Sequence, residues 1–177
     1  TERRQAEEEV QWELEVNTAL SDLYKPLISP FSSLENIAVK VLEHSRELTR
    51  SADGFVSSID PSTKDTRILT FSEGSHEKCT IRHMDTSITF PLGKDGKYAG
   101  LWGHALNMLE SFFTNSPQTH PASRGVPEGH VPLERFLSVP VMLRDELVGQ
   151  VALANSSRDY SERDVEAVQT IYLNAYR

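Results

Sequence analysis

Six histidines and one cysteine are the side chains of this 177-residue chain best suited to ligand or metal chemistry. Cys79 and His83 stand four apart. That spacing puts two ligands on one side of a helix, but the segment reads as strand or loop, so it is a weak metal signal. A single cysteine excludes an internal disulfide and any zinc site built on two or more thiolates. Cys79 therefore has two readings: an inert, half-buried side chain, or a tether or redox sensor if exposed and of lowered pKa. His44 falls in a helical stretch and His76 in a polar loop beside Glu73 and Glu77, both places where an imidazole is solvated. His104 lies among Trp102, Ala105 and Leu106 on an apolar helix. His120 and His130 sit on a long loop, in Thr119-His120-Pro121 and Gly129-His130-Val131. Each of these three either bonds a backbone group that no ladder satisfies or presents a ring nitrogen to a bound ligand. Other chemistries fail on sight. Gly93-Lys94-Asp95-Gly96 is a turn and not a phosphate loop, and neither a Gly-x-Ser-x-Gly elbow nor a His-Glu-x-x-His zinc motif is present. The Cys-x-x-Cys-His haem-attachment motif is also missing.

The elements that must position these residues follow from charge and periodicity. Lys and Arg total 18 against 26 Asp and Glu, a net charge of −8, which argues against a nucleic-acid-binding surface. Residues 1–15 hold six Glu and two Arg, half of that excess. Apolar runs are as short as Val151 to Ala154, far from the roughly 20 residues that span a bilayer. The first residues lack the apolar core of a signal peptide, so a cytoplasmic location is expected. Trp12, Val16, Ala19, Leu20, Leu23 and Leu27 form a helical stripe over residues 2–25, ended by Pro26 and Pro30. A second helix is expected from Leu34 to Arg50, capped by Ser32-Ser33-Leu34-Glu35. Period-two runs predict strands at 55–59 and 67–71, a third near Ile81, Ile88 and Phe90, and a hairpin of 136–143 with 147–154. A helix is expected over 98–110 and another from Ser161 to the end, and Phe112 to Thr114 reads as a short strand or a helix tail. Residues 115–132, rich in Pro and Gly, form a loop of the length usually kept for function. This order is α+β: one antiparallel sheet with helices on its faces.

Several motifs add to this reading. Phe136-Leu137-Ser138-Val139-Pro140-Val141, followed by Glu146-Leu147-Val148-Gly149-Gln150-Val151-Ala152-Leu153-Ala154-Asn155, resembles the hairpin of a GAF domain, a sensory module of signalling proteins. Tyr160-Ser161-Glu162-Arg163-Asp164 is similar to the start of that family's last helix. Phe90-Pro91-Leu92-Gly93, Leu101-Trp102-Gly103-His104-Ala105-Leu106-Asn107 and Thr114-Asn115-Ser116-Pro117 resemble a subgroup found in multi-domain sensor histidine kinases. The resemblance covers about residues 32–177.

It implies a central antiparallel sheet of five to six strands with helices on both faces. The first and last helices lie together on one face, and a ligand pocket lies on the other under the central helix and the long loop. It divides the chain into a connector helix at 1–30 and a sensory domain at 31–177, cut from a longer protein. The expected role is regulatory and not enzymatic: a domain of a cytoplasmic histidine kinase that binds a small ligand or haem for redox or gas sensing. Of the family's ligand classes, bilins are disfavoured because Thr80 follows Cys79, and reduction of free methionine sulfoxide because it uses several cysteines. Haem then sets the candidate cofactor-binding residues as Cys79, His104, His120 and His130, with His120 and His130 the axial candidates. Expected partners are adjacent PAS, GAF or kinase modules and a second copy paired through the stripes at 12–27 and 165–175. Neither nucleic acid nor membrane insertion is expected. The alternatives are a ligand-free dimerisation module and, behind it, a sulfoxide reductase.

Overall fold

The helical stripe of residues 12–27 is met by α1, Glu2–Leu27, which ends one residue past Pro26. This computed structural model describes residues 2–27, 32–72, 88–126 and 130–175. The second helix, α2 (Leu34–Thr49), starts one residue later than the expected box: Ser33, not Ser32, is its cap, and its side chain accepts from the Asn36 N–H. The Glu35 carboxyl lies below its ordinary range, held there first by a backbone N–H of its own residue and then by the Ser33 hydroxyl. At the other end Arg50 takes a left-handed φ of 55° and sends its N–H back to Arg46 and Glu47. That reversal drops the chain straight into β1 (Ser51–Ile59), which therefore begins four residues earlier than its alternation indicated.

The remaining strands are β2 (Thr66–Phe71), β3 (Thr89–Phe90), β4 (Phe112–Thr114), β5 (Phe136–Leu143) and β6 (Glu146–Ser156). They form one six-stranded sheet in the order β3-β2-β1-β6-β5-β4, antiparallel at every step. The α+β class and strand number expected from the sequence are thus met. The expected third strand is reduced to Thr89–Phe90, and Ile81 lies outside the described residues. Between β3 and β4 runs α3 (Gly100–Met108), shorter at both ends than expected, and a single 3-10 turn, Pro117–Thr119, interrupts the long loop. The last helix is α4, Glu162–Ala175. No helix among the described residues is long and apolar enough to cross a membrane.

β5 and β6 join through Arg144 and Asp145, both at positive φ (48° and 66°), as a two-residue hairpin turn of the kind that matches strand twist requires. The ladder then slips: Met142 faces Leu147, but the next pair is Val141 with Gly149, leaving Val148 unpaired. Simple alternation groups Leu147 with Val151 and Leu153. The bulge overturns that grouping, seating Leu147 against Tyr98 and Leu106 while Val148 joins the core on the opposite side. One face of the sheet, with Val56, Leu137, Val139, Val151 and Leu153, packs on α1, α2 and α4 through Leu23, Val41, Val168 and Ile171. The other face lies under α3. α1 and α4 share the first face and are clasped there. Arg163 lies over the Trp12 ring at 4.5 Å and faces the Glu9 carboxylate at 3.1 Å.

Candidate functional site

Period two decides which side chains form the floor beneath α3. Phe55, Ser57 and Ile59 of β1 alternate with Val56, and Ile59 packs with Tyr98 and Leu106 on the α3 side. Ser57 stands directly across from Gln150 of β6, and Ile59 across from Thr66 of β2. Ser138 of β5 comes onto the same side through the Gln150 amide. Gln150 Nε2 donates to Ser138 Oγ at 2.7 Å and to the Trp102 carbonyl of α3 at 2.6 Å. Four polar side chains from four adjacent strands thus lie on the α3 side of the sheet, each with no exposed surface.

Among the described residues, three of them carry an atom without a hydrogen-bond partner: Gln150 Oε1, Ser57 Oγ and Thr66 Oγ1. A buried polar atom left unbonded costs about 1–3 kcal/mol, so a floor built only for packing would hold alanine or valine there. The roof and walls are aromatic. Trp102 meets Phe90 at 5.1 Å and Tyr98 at 5.9 Å. The Tyr98 hydroxyl donates to the Lys64 carbonyl, and Asn107 brackets the Tyr98 backbone by accepting from its N–H and donating to its carbonyl. Gly103 permits this fit, because a β-carbon there would stand 2.6 Å from the Tyr98 carbonyl.

The expected site residues fall into three groups. His104 and His120 come together, rings 5.0 Å apart, and both pack against Phe112 at the edge of the roof. Burial first, and His104 second, hold the His120 pKa below its ordinary value. His120 Nδ1 accepts the Ala122 N–H at 3.2 Å, so its neutral ring carries the proton on Nε2 and has no lone pair there for iron. His130 shares no ring contact with that pair among the described residues. Its Nδ1 lies 2.6 Å from the Val131 carbonyl, which can only accept, so Nδ1 holds the proton and Nε2 is free to ligate. Cys79 and His83 lie outside the described residues. Among those described, no three His, Cys, Asp or Glu side chains gather where they would hold a metal ion. His120 thus fits haem poorly as an axial ligand, whereas His130 has the tautomer that iron ligation requires.

Sequence reasoning missed Ser57, Thr66, Ser138 and Gln150. Their signal was present as polar residues in the alternate positions of apolar strands. It also missed Asn155, at φ 58°, whose side chain accepts from the Glu134 N–H and donates to Asp53 and to the Pro132 carbonyl. That residue moors the end of the long loop to the sheet.

A family model described as a GAF domain matches residues 32–172. Among solved structures, the chain is similar to the GAF domain of a phosphoenolpyruvate-protein phosphotransferase from Coxiella burnetii (TM-score 0.71, 17% identity, 92% of each chain covered). It is similar to the A. Aeolicus nlh2 GAF domain in an inactive state (TM-score 0.63, 14% identity, 93% of each chain). It is also similar to free methionine-R-sulfoxide reductase from Neisseria meningitidis in complex with its substrate (TM-score 0.66, 11% identity, 93% of this chain and 88% of that one). At such identities these likenesses speak to the fold alone.

Proposed function

The chain belongs to the GAF domain family, and on that premise we infer that it is a sensory, regulatory module that binds a small polar ligand between the sheet and α3. The observation that carries this reading is the trio of orphaned, fully buried polar atoms on Gln150, Ser57 and Thr66. A ligand bearing hydrogen-bond donors would satisfy Gln150 Oε1, and a hydroxyl or amide would satisfy either alcohol. Because Gln150 also holds the Trp102 carbonyl, occupancy reaches α3 directly. Through β6 it reaches the packing of α4 and α1 on the far face. A ligand that prefers one such packing shifts the population between them. The motifs of α3 favour a histidine-kinase parent, in which α1 and α4 would pass the change to neighbouring modules.

The test is a thermal-shift screen of amino acids, cyclic nucleotides and hemin on the purified domain, repeated on Gln150→Leu. A compound that raises the melting temperature of the wild type, and has at least tenfold weaker effect on Gln150→Leu, supports the reading. A panel with no effect, together with Gln150→Leu more stable than wild type, favours a ligand-free dimerisation module. The tautomer of His130 favours a haem-binding version, in which His130 would hold the iron and the cofactor would supply gas or redox sensitivity. A Soret band lost in His130→Ala supports that version, and no band with added hemin removes it.

A further inference from the structure

β4 pairs with only three residues of β5, from Phe136↔Thr114 to Ser138↔Phe112, whereas β5 continues to Leu143. Among the described residues, no strand covers the outer edge of β5 beyond Ser138. Pro140 sits on that stretch, and proline is tolerated on an edge because no partner strand needs its missing N–H. A cleft of about 520 Å³ opens there, between this edge, the chain leaving α3 and the flank of α4. Leu109, Pro140, Met142, Val165 and Tyr172 supply the apolar share of a lining whose exposed surface is mostly polar. Leu109 is 51% exposed in a left-handed conformation (φ 55°).

Three carboxylates rim the cleft, Glu110, Glu162 and Glu166, and no Lys or Arg lines it. Elsewhere Glu7, Glu8 and Glu9 of α1 and Glu35 and Glu43 of α2 each face a cation. None of the three rim carboxylates has an ion-pair partner among the described residues. Helix electrostatics accounts for Glu162, in the first turn of α4. It works against Glu110, which follows the C-terminal end of α3, where a cation would be favoured.

We propose that this cleft is the docking site for a cationic, amphipathic segment of a partner protein. Apolar side chains of the segment would seat on Leu109, Met142 and Tyr172, and its Lys or Arg side chains would reach Glu110, Glu162 and Glu166. A second copy of this chain, at net charge −8, meets the rim with repulsion. A phosphate-bearing nucleic acid or an anionic membrane is repelled in the same way. The site lies at the outer edge of β5 and against α4, so a docked partner would feel the helix that the ligand reading employs.

The probe is a fluorescein-labelled 14-residue peptide of Leu and Lys with Leu on one helical face, titrated by anisotropy at fixed salt. The triple variant Glu110→Gln, Glu162→Gln, Glu166→Gln is expected to weaken binding about tenfold, as three exposed ion pairs would. Glu7→Gln, Glu8→Gln, Glu13→Gln changes net charge equally and is expected to leave binding unchanged. A peptide with Ser in place of Leu should bind at least about tenfold more weakly. If the first triple fails to fold by circular dichroism, Glu166→Gln alone carries the test, with a loss of about twofold. No binding to the wild type, equal loss in both triple variants, or equal affinity for the Ser peptide overturns the proposal. So does a sedimentation mass of the chain alone that falls to the monomer in Met142→Asp, which would assign the cleft to a second copy.

Discussion

Ser57 is a small side chain with a large consequence. Its hydroxyl is fully buried opposite Gln150 and has no partner among the described residues. Replacing it with alanine keeps the shape and removes the orphan, so Ser57→Ala is expected to stabilise the free domain by about 1 kcal/mol, read from urea unfolding. The same variant should weaken any ligand held on the floor; an alanine that destabilises would show that the hydroxyl is satisfied. His120 supplies a second residue-level expectation. Burial holds its pKa below the ordinary value of 6.5, so the folded state favours the neutral ring. Its contribution is complete above pH 6.5 and is lost as pH falls below that value. Urea midpoints of the wild type should therefore drop more steeply from pH 7 to pH 5 than those of His120→Gln. Equal slopes would place the acid sensitivity elsewhere.

At the scale of elements, the β5–β6 hairpin was the most legible part of the chain, because its apolar residues alternate over both strands. Its defect was not legible. A bulge adds one residue to one strand, and nothing in the pattern of Leu147, Val148 and Gly149 distinguishes that from plain alternation. The role of Gly149 became clear only with the strands paired: a β-carbon there would run into the Ser57 carbonyl. Gly149→Ala is expected to cost about 2 kcal/mol, seen as a lowered urea midpoint, as the central ladder parts to admit a methyl group. The start of α4 was half legible. Asp164 does reach back to the Ser161 N–H, as a capping pattern predicts, but it is fully buried and bonded twice to Arg158, a partner that local spacing does not reveal. The edge-to-face contact of His104 and His120 was likewise unreadable, since it depends on how the long loop folds back over α3.

At the scale of the molecule, the stripes expected to pair across a dimer are spent within the chain: Ala19, Leu23, Val168 and Ile171 are core. The apolar residues that α1 leaves exposed are Val10, Leu14 and Tyr24, at 66%, 59% and 54%. If a second copy binds through α1, it uses these, and Leu14→Arg should then convert a dimer to a monomer by sedimentation without changing the thermal midpoint of the folded unit. The two layers are also joined by a buried chain of hydroxyls, in which Tyr160 meets Ser51 and Ser51 meets Thr49 at 2.7 Å each. Burial pushes the Tyr160 phenol up to about 12 from its ordinary value of 10.0. Its contribution is complete below pH 10 and is lost as pH rises toward 12. Tyr160→Phe should flatten that alkaline limb, followed by tyrosinate absorbance alongside unfolding.

The clasp of Arg163 on Trp12 carries a practical consequence. The chain has two tryptophans, and the sheet stands between them: Trp12 between α1 and α4, Trp102 on α3. Each indole is thus a private emitter for one side of the molecule. With Trp102 replaced by Phe, the remaining glow follows only the rods; with Trp12 replaced, only the α3 side. Comparing their time courses after mixing with an effector would reveal whether news travels through the pleats, and which side hears it first.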